Sequence, residues 1–133
     1  MPQRHAPIKV FLAEDSTLIR GRTGAMLQAQ GMSIVGEAQT PQASIAGILE
    51  TRPDVVVLDV MLEGGTGLEV LRAVRKAAPD IAFVVFTINA VPAYRNMYQA
   101  EGAYRFLDKA TEFDQLVISV RAAATDGTGS PDA

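Results

Sequence analysis

The chain has 133 residues, 48% of them hydrophobic, and a formal net charge of −3 at pH 7. This length and composition suit one domain with a packed core, and they exclude an intrinsically disordered chain. The sequence contains no cysteine, which excludes disulfides and thiolate metal sites. The acidic balance argues against direct nucleic-acid binding, which needs a basic, clustered surface.

Neither a membrane span nor a signal peptide is expected. Apolar runs stay well short of the roughly 20 residues that a transmembrane helix needs, and the first ten residues lack the apolar core of a signal peptide. We therefore expect a cytoplasmic protein without membrane contact.

Five short apolar runs predict β-strands, and five longer segments with helical punctuation alternate with them. The runs cover residues 8–13, 33–38, 54–59, 81–87 and 104–108. The third and fourth runs are nearly continuous stretches of apolar residues, which is typical of central parallel strands covered on both faces. The second and fifth runs are more polar, which indicates the edges of a sheet.

The helical segments have recognisable start and stop signals. Ser16, Thr40, Thr66 and Thr111 each precede a segment and are predicted N-caps. Strands that alternate with helices indicate βα units and a parallel sheet. The predicted fold class is α/β, a doubly wound (βα)5 domain with a five-stranded parallel sheet in the flavodoxin-like order 2-1-3-4-5. A Rossmann-like half-domain is the alternative.

The predicted domain covers residues 8–124. Residues 1–7 form an N-terminal arm, and residues 125–133 are rich in Gly, Ser, Pro and Asp. We expect this last segment to be a disordered tail or the start of a linker.

Polar side chains follow several predicted strands where each strand ends. Glu14 and Asp15 follow the first strand, Asp59 the third, Thr87 the fourth and Lys109 the fifth. In the expected strand order the first and third strands are neighbours at the switch point, where ligands bind in such sheets. Three carboxylates there repel one another unless a cation offsets their charge, and Mg²⁺ (or Mn²⁺) prefers such oxygen ligands.

A carboxylate at this edge has a chemical use as well as a structural one. It can act as a nucleophile and form an acyl phosphate, whose oxygens a Lys and a hydroxyl would neutralise. Taken alone, Asp59 suits a turn, the first acidic pair suits a helix cap, Thr87 suits a strand and Lys109 suits a solvated loop. Their coincidence at one sheet edge favours a functional site.

Five segments together resemble the receiver domain of two-component response regulators. They are "AEDS", "PDVVVLDVML", "GLEVLRAVR", "VVFT" and "GAYRFLDK", and the resemblance runs from about Lys9 to Ala124. It implies that Asp59 accepts a phosphoryl group from the phospho-His of a histidine kinase or phosphotransfer protein. It also implies that Glu14 and Asp15 hold Mg²⁺.

The resemblance assigns further roles around this acid. Met61 would offer its backbone carbonyl to the metal, Thr87 and Lys109 would contact the phosphoryl group, and Phe106 would turn inward when Thr87 moves. The switch would alter the face formed by the fourth helix, fifth strand and fifth helix. That face would control a downstream protein or a fused output domain, with a homodimer as one option. No separate enzymatic activity is expected.

Four residues depart from the usual family pattern. Ala110 stands where a cis Pro is usual, which predicts a trans Lys109–Ala110 bond, since a non-Pro cis bond costs about 3–4 kcal/mol. Ile88 is bulky at the mouth of the site and predicts restricted access and slow phosphoryl turnover. Glu63 precedes two glycines, which predicts a mobile loop. Phe106 lacks the phenol of the commoner Tyr.

The expected output face is rich in Tyr and Arg, which favour interfaces. Its candidate interface residues are Tyr94, Arg95, Tyr98, Tyr104, Arg105, Asp108 and Arg121. The alternative interpretation is that the tyrosines are packing residues and the charges are solvated.

Other functions compete with a stand-alone switch. One is the receiver part of a longer DNA-binding transcriptional regulator. A phosphatase-like hydrolase with an Asp nucleophile would carry Asp-x-Asp after the first strand, where this chain has "AEDS". A flavodoxin-like carrier would need a Gly-rich phosphate loop at the same place, where Glu14 and Asp15 would repel phosphate. A receiver that is never phosphorylated is disfavoured, because every key residue is present.

Overall fold

A computed structural model describes residues 6–126 of the chain. Its strands are β1 (Lys9–Ala13), β2 (Ser33–Ala38), β3 (Val55–Leu58), β4 (Met61–Leu62), β5 (Gly65–Thr66), β6 (Ala82–Thr87) and β7 (Arg105–Asp108). Its helices are α1 (Thr17–Ala29), α2 (Pro41–Thr51), α3 (Gly67–Ala77), α4 (Pro92–Ala100) and α5 (Leu116–Asp126), and a 3-10 turn covers Phe113–Gln115.

Five strands form one parallel sheet in the order β2-β1-β3-β6-β7. This is the predicted order 2-1-3-4-5 once the short strands β4 and β5 are set aside, so the predicted fold class is confirmed. The more polar runs are the sheet edges β2 and β7, as expected. The Rossmann-like alternative is wrong.

Both faces of the sheet are covered, because alternate residues of the central strands point to opposite sides. Val56 and Leu58 of β3 pack with residues of α2, α3 and α4, whereas Val55 and Val57 pack with residues of α1 and α5. All four side chains are at most 5% exposed. A strand buried on both sides explains why this segment is an unbroken apolar run.

Most predicted caps are present, and one is wrong. Ser16 Oγ accepts a hydrogen bond from the backbone N of Ile19 at 3.2 Å, and Thr40 Oγ1 accepts one from Ala43 at 3.1 Å. Thr66 is the N-cap of α3. Thr111 does not cap α5, because this helix begins only at Leu116.

A tight turn occupies the chain where the Thr111 cap was expected. The backbone N of Glu112 donates to the carbonyl of Asp108 at 2.7 Å, and the Glu112 carboxylate accepts from the Asp108 N at 2.9 Å. These two hydrogen bonds fold the residues after β7 into a turn, and α5 therefore begins later in the chain than predicted.

A two-stranded hairpin of β4 and β5 stands where a mobile glycine loop was predicted. Gly64 has φ +79° at its turn, a conformation that favours glycine, and the backbone N of Glu63 donates to the carbonyl of Gln39 at 2.9 Å. The glycines therefore lie in a hydrogen-bonded turn that leads into α3, and the mobility of this loop stays a prediction.

The C-terminal helix extends past the predicted domain boundary at residue 124. Thr125 and Asp126 belong to α5, and the Tyr104 hydroxyl donates to the Asp126 carboxylate at 2.5 Å. The remaining predicted tail (127–133) and residues 1–5 of the predicted arm lie outside the described residues. Between residues 6 and 126, no helix has the length and apolar character to cross a bilayer.

Candidate functional site

Three carboxylates meet at the carboxyl edge of the sheet. Oxygen atoms of Glu14, Asp15 and Asp59 all lie within 4.8 Å of one another. They meet because β1 and β3 are neighbours that end at the same level, with Ala13 opposite Leu58. Glu14 and Asp59 are each 7% exposed, whereas Asp15 faces solvent. The predicted acidic cluster is thus brought together.

Lys109 joins the two buried acids. Its Nζ donates to Asp59 Oδ2 at 2.9 Å and also to Glu14 Oε1. The other oxygen of each carboxylate is held by backbone: Asp59 Oδ1 accepts from the N of Val60 at 2.7 Å, and Glu14 Oε2 accepts from the N of Ser16 at 3.0 Å. Both carboxylates therefore have fixed orientations.

The charges of this cluster do not balance. Burial raises the pKa of the Glu14 carboxyl, and hydrogen bonds from Lys109 and Ser16 act against this rise. Burial lowers the pKa of Lys109, but its hydrogen bonds to Asp59 and Glu14 outweigh burial and raise this pKa overall. One ammonium thus faces three acidic side chains, and a net negative charge remains at the sheet edge.

The donor set fits a hard divalent cation. Carboxylate oxygens within 4.8 Å of one another suit Mg²⁺ or Mn²⁺, and the exposed Asp15 leaves an approach from solvent. The Met61 side chain is 47% exposed at the start of β4, two residues after Asp59. The metal role of its backbone carbonyl stays a prediction.

Thr87 is the last residue of the neighbouring strand β6, and Ile88 follows it. The Thr87 side chain is fully buried, and its Oγ1 accepts from the backbone N of Asn89 at 3.0 Å, which leaves the hydroxyl proton free to donate. Ile88 is 68% exposed and lines, with Lys109, a groove of about 210 Å³. This places Ile88 beside the site, and its effect on access stays a prediction.

Phe106 lies inward in this structure. It is 2% exposed, and its ring centroid lies 6.0 Å from that of Tyr98. The Arg95 guanidinium covers the ring at 5.0 Å and donates from Nη1 to the Phe106 carbonyl at 2.8 Å. Arg95 therefore contacts both the ring and the backbone of Phe106, which has no phenol hydroxyl of its own to form a hydrogen bond.

The Lys109–Ala110 peptide bond is trans, as predicted, since the described residues contain no cis bond. The backbone N of Ala110 donates to the Asp108 side chain at 2.8 Å.

Two tyrosines of the expected interface are buried instead. Tyr98 is 1% and Tyr104 5% exposed, and Tyr94 packs partly buried against the core. The reason is that Tyr98 fills the space between α4 and the sheet, while the Tyr104 hydroxyl reaches its partner Asp126 at the end of α5. The interface prediction is wrong for Tyr98 and Tyr104.

The charged members of the expected interface separate into two places. Arg105 is exposed, with its guanidinium 4.6 Å from the Tyr104 ring centroid, and it lines a groove with Arg95. Arg121 instead donates to the carbonyl of Gln30 at 3.2 Å, which places it beside α1. Arg95 and Arg105 remain together on one groove, and their role in an interface stays a prediction.

Sequence reasoning did not predict the contact that Arg20 makes beside the acidic cluster. Its Nη1 donates to the backbone carbonyl of Glu14 at 2.6 Å, and its Nε donates to Glu37 Oε1 at 2.9 Å. A signal for this contact existed, because long side chains of a helix point toward its N-terminus. The N-terminus of α1 lies at the acidic edge of the sheet.

The comparisons with known proteins agree with this geometry. A sequence model of the response regulator receiver domain matches residues 10–121. The chain belongs to this receiver family.

The receiver resembles bacterial regulators of two-component systems over most of its length. It is 30% identical over 115 residues to response regulator GacA of Pseudomonas aeruginosa, covering 86% of this chain and 54% of that protein. It is 32% identical over 118 residues to the uncharacterized transcriptional regulatory protein YxjL of Bacillus subtilis, covering 88% and 54%. The chain thus spans about half the length of these relatives.

Solved receiver structures superpose well on this receiver. The signal receiver domain of the regulator NarL from Mycobacterium tuberculosis is 27% identical with a TM-score of 0.84, covering 90% of this chain and 98% of that one. The response regulator TrrA of Thermotoga maritima, solved in complex with Mg²⁺–BeF, is 25% identical with a TM-score of 0.77, covering 86% and 97%.

Proposed function

We propose that Asp59 accepts a phosphoryl group from the phospho-His of a histidine kinase or phosphotransfer protein, in a reaction that needs Mg²⁺ or Mn²⁺. The arrangement that carries this proposal is the buried Asp59 carboxylate beside Lys109, with Glu14 and Asp15 close by. A carboxylate in a fixed orientation, next to two further carboxylates that would bind a cation, can act as the nucleophile that accepts a phosphoryl group.

The transfer forms one bond and breaks another. An Asp59 oxygen bonds to phosphorus while the bond from phosphorus to the imidazole nitrogen breaks, and the imidazole leaves with that electron pair. Lys109 already donates to Asp59, and it would pair with the incoming phosphoryl oxygens. The hydroxyl of Thr87 would be the second hydrogen-bond donor to the phosphoryl oxygens.

The metal would be held by Glu14, Asp15, Asp59 and the Met61 carbonyl. When bound, Mg²⁺ supplies positive charge against the phosphoryl oxygens. The Mg²⁺–BeF complex of TrrA supports this expectation, because that protein shares the fold at 25% identity.

The signal then passes to the face formed by α4, β7 and α5. Movement of Thr87 toward the phosphoryl group would release space behind β6. Phe106 on the neighbouring strand β7, and its partner Arg95, would then change position. The exposed Arg105 lies on that face and would contact a downstream protein, an output domain or a second copy of this chain. This role is signalling without turnover of a separate substrate, in the cytoplasm.

A receiver within a longer DNA-binding regulator is the second candidate. The chain covers 54% of GacA and 54% of YxjL, the second of which is described as a transcriptional regulatory protein. In that case an attached output domain, not the receiver, would contact DNA. The coding sequence beyond residue 133 tests this: an open frame that continues into a helix-turn-helix domain supports it, and an immediate stop codon contradicts it.

Labelling with acetyl phosphate tests the main proposal. Intact-mass spectrometry should show one added phosphoryl group per chain with Mg²⁺ and none with EDTA or in Asp59→Asn. Equal labelling of Asp59→Asn, or no labelling of the wild type, would defeat the proposal. Repeated turnover of a phosphate ester without a stable adduct would favour the hydrolase alternative instead.

A further inference from the structure

Arg20 makes two hydrogen bonds beside the acidic cluster that the proposed reaction leaves unused. Its side chain is 13% exposed, its Nη1 donates to the Glu14 carbonyl at 2.6 Å, and its Nε pairs with Glu37 at 2.9 Å. One guanidinium therefore links α1, the loop after β1 and the edge strand β2.

The Glu14 carbonyl needs such a partner because it lies just past the end of β1. The Glu14 N still donates to the Ala38 carbonyl of β2 at 3.0 Å, and on the other side the Asp59 N donates to the Ala13 carbonyl at 3.0 Å. The ladder ends there. An unpaired carbonyl costs about 1–3 kcal/mol when it is fully buried, and this one is part-buried. Arg20 supplies the donor and fixes the Glu14–Asp15 peptide.

Glu37 keeps the guanidinium in this orientation. A free guanidinium near Glu14, Asp15 and Asp59 would be drawn to the carboxylates and would compete with a divalent cation. The pairing with Glu37 offsets the Arg20 charge and directs the side chain to the backbone carbonyl. The planar guanidinium can span two acceptors at once, which a lysine ammonium does less well.

We propose that Arg20 is a positioning residue of the cation site, which sets the Glu14–Asp15 peptide so that both carboxylates face Asp59. Glu37 acts with it by holding the guanidinium. This inference rests on the proposed cation-dependent phosphorylation of Asp59. Outer partners that orient metal ligands typically change metal affinity by about 10–100-fold when they are removed.

Mn²⁺ binding, followed by the electron paramagnetic resonance signal of the free ion, tests the role without phosphorylation. Arg20→Met keeps most of the side-chain stem and removes both donors, and we expect the Mn²⁺ affinity to fall by about 10-fold or more. Arg20→Lys should give an intermediate loss. Arg22→Met is the matched control, because it removes the same charge from an exposed position of the same helix and should bind like wild type.

A kinetic measurement separates positioning from general damage. In labelling with acetyl phosphate, Arg20→Met should raise the Mg²⁺ concentration needed for half-maximal rate, while the rate at saturating Mg²⁺ stays close to wild type. Glu37→Gln retains an acceptor for the Arg20 Nε and should show a smaller increase. Arg20→Lys keeps the test available should Arg20→Met fail to fold.

The failures are distinguishable. Wild-type affinity in Arg20→Met, or an equal loss in Arg22→Met, overturns the positioning role and leaves the proposed phosphorylation intact. A wild type that neither binds Mn²⁺ nor becomes labelled overturns both.

Discussion

Replacement of Lys109 by Met tests how much this ammonium contributes to the stability of a fold that holds the acidic cluster. The Lys109 side chain is 8% exposed and contacts two carboxylates whose side chains are 9% (Glu14) and 8% (Asp59) exposed. The substitution keeps the length of the stem and removes the one ammonium that bonds both acids. Two nearly buried carboxylates would then face each other without it.

The expected loss of stability follows from the buried pairing. Removal of one partner from a buried ion pair typically costs about 3–5 kcal/mol. We expect the lower end, about 3 kcal/mol, because Asp15 opens the cluster to water. With an unfolding entropy of about 2.1 cal/mol/K per residue, the 133 residues convert this into a Tm lower by about 11 °C.

Thermal unfolding of Lys109→Met in EDTA and in Mg²⁺ is the assay. Mg²⁺ should raise the Tm of the variant more than that of the wild type, because the divalent cation replaces the missing positive charge. The deficit should also shrink as the pH falls, since the pKa of Glu14 is already raised by burial and its neutral form carries no charge for an ammonium to offset. Lys76→Met, at an exposed position of α3, is the control.

A Tm of Lys109→Met equal to that of the control in EDTA would refute this reasoning. So would a deficit that is the same with and without Mg²⁺, because the missing charge would then not be the cause.

Three further predictions concern the surroundings of the site. A Cβ at position 67 would lie 2.1 Å from the backbone oxygen of Asp59, so Gly67→Ala should lower the free energy of unfolding by about 2 kcal/mol and slow labelling; an unchanged urea midpoint would contradict the close approach. Ile88→Ala should shorten the lifetime of the phosphorylated protein, and an unaltered lifetime would count against restricted access. Burial raises the pKa of Tyr98 to about 12, so the neutral phenol stabilises the fold below pH 10, and this contribution is lost as the pH rises from about 10 to 12. In an ultraviolet titration Tyr98→Phe should remove the phenolate step near pH 12, and removal of a step near pH 10 would contradict this.

The large elements of the fold were predictable because their signals are local. The run at residues 54–59 is apolar without alternation, which indicates burial on both faces, and β3 indeed occupies Val55–Leu58. The hairpin of β4 and β5 escaped prediction because two-residue strands have no periodicity. Thr111 was predicted to be an N-cap, but the two hydrogen bonds between Asp108 and Glu112 form a turn at this position instead.

The site was predictable as a set of residues but not as a set of contacts. Strand ends place Glu14, Asp15 and Asp59 at one edge. The two hydrogen bonds that Lys109 donates to Glu14 and Asp59 depend instead on the path of the loop after β7. The buried position of Tyr98 had a weak signal, since Tyr94 and Tyr98 are four residues apart on one face of α4.

Chemical trapping of the acyl phosphate tests the central claim most directly. The protein is labelled with acetyl phosphate and Mg²⁺ and reduced with borohydride, which converts a phosphorylated aspartate into homoserine, and its peptides are then sequenced by mass spectrometry. The account predicts homoserine at position 59 alone, and no conversion when Mg²⁺ is withheld. Reduction at Asp15 or at another carboxyl, with Asp59 unmodified, would contradict it.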